Sequence, residues 1–440
     1  MKLNKLVIDN FRCFKHYEIE FAPSITVLIG KNGTGKSSLI HAIHYALSFI
    51  FTNDSSMGND FLSAGNPDLK VISSSPFDFY KDHEKGETAI DLSIQGEAIF
   101  NKRELSWNMY KRSTSGASLL PSKYEDAYRS FMEEYRKSNQ LPLLAYYSDS
   151  FPHREGKLTD FAKETIKEQG TIIRNFGYYQ WDEETVCTSI WEKRFINALN
   201  KHNTLGDKDP LTSAEVNFIK NKLRAFSKPT NEQNDSDFRI DELHVVFDDD
   251  TKPTLYVRLA NGKDVAFINL PAGYRRLYSI VFDIAYRAYI LNLGKVENPQ
   301  GIVIIDEIDL HLHPSLEQEV LQRLQNTFPS LQFIVSTHSP LVISNLNPEN
   351  GNNVVLRMEI DSEEPEKLPD IYGIDYNASI SDFMGTPHTN LQISEIRDSI
   401  LRLLRQEKTN LADKRKQELQ SVIGSESRYN EVIKDIETSL

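Results

Sequence analysis

Two cysteines, Cys13 and Cys187, are all that the 440 residues contain. That is too few for a disulfide framework and fits a reducing cytoplasm. No run approaches the roughly 18 apolar residues that a membrane span requires, so the expected location is cytoplasmic, with no membrane partner. The opening MKLNKLVIDNFRCF alternates and carries charge, unlike a secretory signal. Basic residues are in deficit: 50 Lys and Arg against 63 Asp and Glu leave a net charge of −13. A chain that coats DNA needs a sizeable basic face for counterion release, which this balance disfavours; one local basic groove stays open. Glycine (20) and proline (18) are too few for a collagen-like, elastic or wholly disordered chain. Internal repeats are missing too, and so is any sustained heptad, which excludes a long coiled-coil arm. What is present, 39% hydrophobic and 26% charged residues, suits a soluble chain with a buried core. Its length corresponds to roughly two to four domains, or one large domain with an insertion.

Residues 3–9 and 16–21 alternate apolar and polar, as half-buried strands do. Ile25-Thr26-Val27-Leu28-Ile29 is instead a short continuous apolar run, the pattern of a central strand buried on both faces. It leads at once into Gly30-Lys31-Asn32-Gly33-Thr34-Gly35-Lys36-Ser37, after which helical spacing resumes from Ser38 to Leu47. This is GxxxxGK[ST] between a strand and a helix, the arrangement that closes backbone N–H groups around phosphate oxygens. The following helix points its positive dipole end at the same charge. Lys36 is then placed to reach the β- and γ-phosphates of ATP, and Ser37 to offer a hydroxyl to Mg²⁺. Cys13, beside Phe11, Arg12 and Phe14, reads as packing.

A second apolar strand, Gly301 to Ile305, ends in Asp306-Glu307. Acidic groups at the carboxyl end of a buried parallel strand lie where open α/β sheets bind ligands. Asp306 is expected to hold Mg²⁺ through water, and Glu307 to polarise the attacking water. Gln332 to Ser336 forms a further strand, followed by Thr337-His338, and His338 is placed to sense a γ-phosphate. About 270 residues separate Lys36 from Asp306, far more than in many P-loop enzymes. Just upstream, Leu270-Pro271-Ala272-Gly273-Tyr274-Arg275-Arg276 precedes a helix with apolar spacing from Leu277 to Ala288, and offers a second anion site.

The set GKNGTGKS, LPAGYRR, IVIIDEIDLHLHP and STHSP resembles the ABC-type ATPases of the SMC/RecF/OLD group. The resemblance is close over about 1–50 and 235–350. It implies an α/β fold: an ABC-type P-loop ATPase head with a mixed sheet flanked by helices, a helical insertion and a C-terminal helical hairpin. LPAGYRR then corresponds to the signature loop, Asp306-Glu307 to Walker B, Asp309 to Pro314 to the loop beyond it, and His338 to the switch histidine. The family signature reads Leu-Ser-x-Gly-Glu/Gln; here Pro271 replaces the serine and Tyr274 the acid or amide, which points to slow turnover. The implied catalytic residues are Lys36, Glu307 and His338, with Ser37 and Asp306 on the metal. The implied nucleotide contacts are Arg12, Gly30, Lys31, Asn32, Gly33, Thr34, Gly35, Lys36, Ser37, Ser38, Gly273, Tyr274 and Arg275. Among relatives the chain is most similar to the PtuA-like ATPase subunits of Septu-type and retron-associated anti-phage systems, which implies a separate HNH nuclease effector and a phage-derived trigger; resemblance to the ATPase of the PARIS system, a related alternative, implies a Toprim-type effector instead. The resemblance also implies a homodimer or higher homo-oligomer, each phosphate loop completed by the partner's Gly273 loop.

The remaining organisation is expected as lobe I (1–150), a compact helical insertion (151–235), lobe II (236–350) and a C-terminal loop with a helical hairpin (351–440). Segments near 88–95, 98–111 and 141–147 read as lobe I strands; the family's glutamine loop has no clear place. In the insertion, Trp181, Trp191, Phe195, Ile196 and Leu199 form an apolar stripe that reads as core. Residues 391–406 and 409–423 carry apolar residues at helical intervals, Gly424 stops the second helix, and a third short one follows. A RecF-like repair ATPase acting on DNA directly is the alternative, against which the net charge counts. A Toprim nuclease within the chain is excluded, since only about 90 residues follow 350, mostly loop and helix.

Overall fold

The computed structural model describes residues 1–53, 62, 69–82, 84–115, 118–149, 174–182, 188–230, 238–247, 253–376, 379, 383–384, 391–406 and 408–438. Cys187, the first part of the expected insertion and most of the polar stretch 229–237 lie outside them. The chain forms two compact units, Met1–Gly373 and Ile374–Leu440.

At the centre of the first unit is a six-stranded sheet in the order β13-β12-β3-β11-β10-β6. Its members are β3 (Ile25–Ile29), β6 (Leu143–Tyr147), β10 (Gly301–Ile305), β11 (Leu331–Ser336), β12 (Asn353–Arg357) and β13 (Glu366–Lys367). All pairings are parallel except that of β12 with β13. Every residue of β3, β10 and β11 is buried, which is why these strands read as unbroken apolar runs. Strand β12 lies beyond the expected lobe II segment and pairs directly with β3.

An antiparallel sheet in the order β2-β1-β4-β5 packs beside it, from β1 (Lys2–Phe11), β2 (Phe14–Glu20), β4 (Leu92–Phe100) and β5 (Arg103–Lys111). The expected single strand 98–111 is corrected here: it is broken at Asn101-Lys102, both with positive φ (48° and 70°), the conformation of a two-residue hairpin turn. Helix α1 (Lys36–Leu47) is tied to this sheet where the Trp107 indole donates to the Ala46 carbonyl at 2.7 Å. A three-stranded antiparallel sheet, β7 (Ile240–Phe247), β8 (Pro253–Leu259) and β9 (Asp264–Ala266), precedes the LPAGYRR segment.

The helical insertion contains α2 (Thr188–Leu205) and α3 (Pro210–Ser227), the latter capped by Asp209, whose carboxylate accepts from the Thr212 N–H. The predicted stripe is core: Trp191 and Phe195 are fully buried. They pack on α4 (Ala272–Asn292), with Trp191 stacked on Tyr286 at 5.2 Å and Phe195 edge-on to Phe282 at 5.6 Å. The expected loop before this helix is also corrected, since Ala272 to Arg276 already form its first turn, entered from Pro271.

Among its described residues the second unit holds helices α5 (Leu391–Arg405), α6 (Thr409–Ile423) and α7 (Glu426–Thr438). Ile396, Ile400, Leu419 and Ile436 form its small core, and Gly424 ends α6 with φ 67°. Among the described residues no helix is long and apolar enough to cross a membrane.

Candidate nucleotide-binding site

The order β3-β11-β10 places three loop-bearing strand ends side by side: the glycine-rich loop after β3, Thr337-His338 after β11 and Asp306-Glu307 after β10. Backbone bonds lace the ends together. Thr337 N–H donates to the Leu28 carbonyl at 3.2 Å, Ile308 N–H to Ser336 at 3.0 Å, and Asp306 N–H to Tyr147 at 2.8 Å.

In the glycine-rich loop, Gly35 has φ +97°, and a Cβ there would lie 2.7 Å from the Phe14 ring and 2.9 Å from Cys13 Sγ. Only glycine fits. The Lys36 ammonium spans the loop, donating to the carbonyls of Gly30 at 2.7 Å and Lys31 at 3.2 Å. Burial lowers its pKa, while the charges of Asp306 and Glu307 oppose that shift. A half-buried cation on a glycine-rich loop between a strand and a helix N-terminus fits a polyphosphate, so the residues present suit the expected ligand.

On the acidic side, Ser336 Oγ donates to Asp306 Oδ1 and accepts from the Glu307 N–H at 2.8 Å. Glu307 adopts φ 48°, uncommon for a non-glycine residue. Burial raises its carboxyl pKa, and the charge of Asp149 at the end of β6 raises it further. The charge of His338, an exposed side chain, acts on the same carboxyl in the opposite sense. Asp309 orders the histidine loop: Oδ1 accepts from the Thr337 hydroxyl and from the His338 N–H, the latter at 3.2 Å. Ser37 and Asp306 are the residues whose oxygen chemistry suits Mg²⁺.

Arg12 follows β1 with φ 51°, its Nε donating to Asp78 Oδ1 at 2.8 Å. The other Asp78 oxygen accepts from the Tyr45 hydroxyl of α1, also at 2.8 Å, so Arg12 is fastened beside the helix that follows the loop. Arg12, Asp78 and Asp306 all act electrostatically on His41, whose pKa is lowered chiefly by burial.

In the first turn of α4, a Cβ on Gly273 would meet the His311 carbonyl oxygen at 2.5 Å. Tyr274 packs within the chain, its ring 4.5 Å from Phe238, and Arg275 donates to the Ile268 carbonyl at 2.7 Å. Ser336, Asp309 and Arg276 lie in motifs the sequence had singled out but without a role of their own, and Asp149 was not expected at the site. Asp149 carries a recoverable signal, since it lies within a few residues of an expected strand end.

The family model described as "AAA domain" matches residues 5–243, more than half of the chain, and a second AAA-domain model, that of AbiEii toxin and type IV toxin–antitoxin systems, matches 201–344. The chain is 28% identical over 401 residues to the retron Vc95 probable ATPase of Vibrio cholerae, covering 79% of this chain and 72% of that one. It is 26% identical over 443 residues to the Septu protein PtuA of Bacillus mycoides, covering 98% of this chain but 51% of the relative, about half of its length. It is 20% identical over 379 residues to the DNA replication and repair protein RecF of Carboxydothermus hydrogenoformans, covering 80% of this chain and 99% of that one.

Proposed function

Because the chain belongs to the AAA-domain family, as an ABC-type ATPase of the SMC/RecF group, we propose that it binds and hydrolyses ATP as a switch for a separate effector. The observation that carries this reading is the meeting of Lys36, Asp306-Glu307 and His338 at three adjacent strand ends. In it the backbone from Gly30 to Ser38 cradles the phosphates, with Lys36 as the cation on the transferred group. Ser37 and Asp306 would hold Mg²⁺, which when bound neutralises phosphate charge. Glu307 takes the proton of the attacking water, with His338 facing the γ-phosphate. Arg12 contacts the nucleotide from the same chain, and Gly273, Tyr274 and Arg275 from a second copy.

Lys36→Ala should weaken nucleotide binding by about ten- to a hundredfold, since a charge-assisted hydrogen bond is worth roughly 1.5–3 kcal/mol. Glu307→Gln should leave binding intact and lower phosphate release by about 10²–10⁴. If Lys36→Ala changes neither binding nor assembly, the switch reading is wrong.

The relatives named for retron and Septu systems support a role of the same kind; an HNH or Toprim-type nuclease as effector and a phage-derived trigger are our proposal from the motif resemblance alone. Pull-down of the tagged chain from its native operon, with and without ATP, tests this. Stoichiometric recovery of a nuclease, dependent on nucleotide, is the expected result. Similarity along nearly the full length of RecF favours the second reading, a repair-type ATPase acting on DNA directly. Recovery of the chain alone with DNA, together with DNA-stimulated hydrolysis, would replace the effector reading with that one.

A further inference from the structure

Arg276 sits in the first turn of α4 with its side chain fully buried. A guanidinium placed there must find partners, and its acceptors among the described residues are backbone carbonyls at the acidic strand ends. Nη2 donates to Asp306 O at 2.9 Å and to Ser148 O at 3.4 Å, and Nη1 donates to Ile308 O at 3.2 Å. The carbonyls of 306 and 308 bracket Glu307, so one rigid fork grips the chain on both sides of that residue. The carboxylates of Asp309, Glu307, Asp306 and Asp149 supply the compensating charge. Burial lowers the guanidinium pKa to about 10, which leaves it charged at neutral pH. A second contact joins the same two segments, the approach of Gly273 to the His311 carbonyl.

We propose that Arg276 is a positioning residue: it holds Glu307 in its left-handed conformation and fixes the first turn of α4 to the loop that carries Glu307, so that a displacement of that turn is felt at the catalytic carboxylate. This rests on the reading of Glu307 as the base for ATP hydrolysis. A planar five-donor fork is needed to reach both carbonyls; a lysine ammonium keeps the charge but not the bidentate geometry.

The test is Arg276→Lys in the full chain, alone and combined with Glu307→Gln, with kcat, nucleotide Kd and thermal melting measured for each. The expected result is a kcat lower by roughly ten- to a hundredfold, the scale of an ångström-level misplacement of a catalytic group. Kd and melting should stay near the parent's, and Arg276→Lys should add less than about twofold to the loss caused by Glu307→Gln, because it acts through that residue. Should Arg276→Lys fail to fold, Arg276→Met, with an unbranched stem that fills the same slot, takes its place. A kcat within about twofold of the parent's, losses that multiply in the double variant, or loss of Kd together with kcat overturns the proposal while the ATPase reading stands. A parent chain that binds no ATP and releases no phosphate overturns both.

Discussion

Asp149 stands at the end of β6, which pairs with β10, and with burial it holds the Glu307 carboxyl above the usual carboxylate range. A base must be deprotonated to act, so hydrolysis should fall as pH drops through that raised pKa. Asp149→Asn removes one raising charge, and the acid limb of the kcat profile should move to lower pH with the plateau unchanged. Burial is the larger cause, so the limb should still lie above that of a free carboxylate. An acid limb that does not move would remove Asp149 from the site. At this scale the sequence was uneven. Cradling phosphate with consecutive N–H groups has few solutions, so residues 30–37 announced themselves, and the buried strands flagged their acidic ends. Arg276 did not, because its role depends on carbonyls at 148, 306 and 308. No spacing rule connects positions so far apart.

Helix α4 links the helical insertion to the acidic strand end. Its Asp283 is fully buried and accepts from the Tyr147 hydroxyl at 2.7 Å, from Arg287 Nε at 2.7 Å and from the Trp191 indole. Arg287 in turn donates to the carbonyls of Gly177 at 3.0 Å and Tyr179 at 2.8 Å. Removing one partner of such a pair strands a buried charge at a cost of about 3–5 kcal/mol. Asp283→Ala should therefore lose stability on that scale in denaturant unfolding, whereas Asp283→Asn, whose single carbonyl oxygen still accepts from either the tyrosine or the indole, should lose less. Equal melting of Asp283→Ala and the parent would show that the network carries no net stability. The apolar face of α4 was legible from its spacing, and so was the stripe it covers. Its start was not, because Pro271 and Gly273 read as turn residues although proline suits a helix entrance and Gly273 is required by the close approach of His311. The break at Asn101-Lys102 was hidden for a related reason, lacking the glycine that usually marks such a hairpin.

For the whole molecule, strand order is what the sequence withheld: β6 and β10 are neighbours although some 150 residues lie between them, and local patterns carry no such information. One consequence of that assembly is the burial of His44 on α1, between the Tyr146 ring of β6 at 4.7 Å and Trp181 at 5.7 Å. Its Nε2 has no hydrogen-bond partner among the described residues, and burial, with a smaller contribution from His41, lowers its pKa to about 3. Unfolding returns it to the ordinary 6.5 or so, so the unfolded chain binds the extra proton. This histidine's contribution to stability is therefore complete above about pH 6.5 and is lost as pH falls from there toward 3, by roughly 1.4 kcal/mol per unit and 4–5 kcal/mol in all. His44→Phe keeps an aromatic ring in the slot and removes the titration. Between pH 7.5 and pH 5 the parent should lose about 2 kcal/mol more than the variant, read as the difference between their unfolding free energies. Other shifted groups act in both directions: Glu215 is raised and Glu242 lowered, each chiefly through burial in the first case and its lysine partner's bond against burial in the second. They are common to both proteins and cancel in that difference. Equal acid sensitivity in parent and variant would mean that the α1–β6 contact opens enough at mild acidity to hydrate the imidazole.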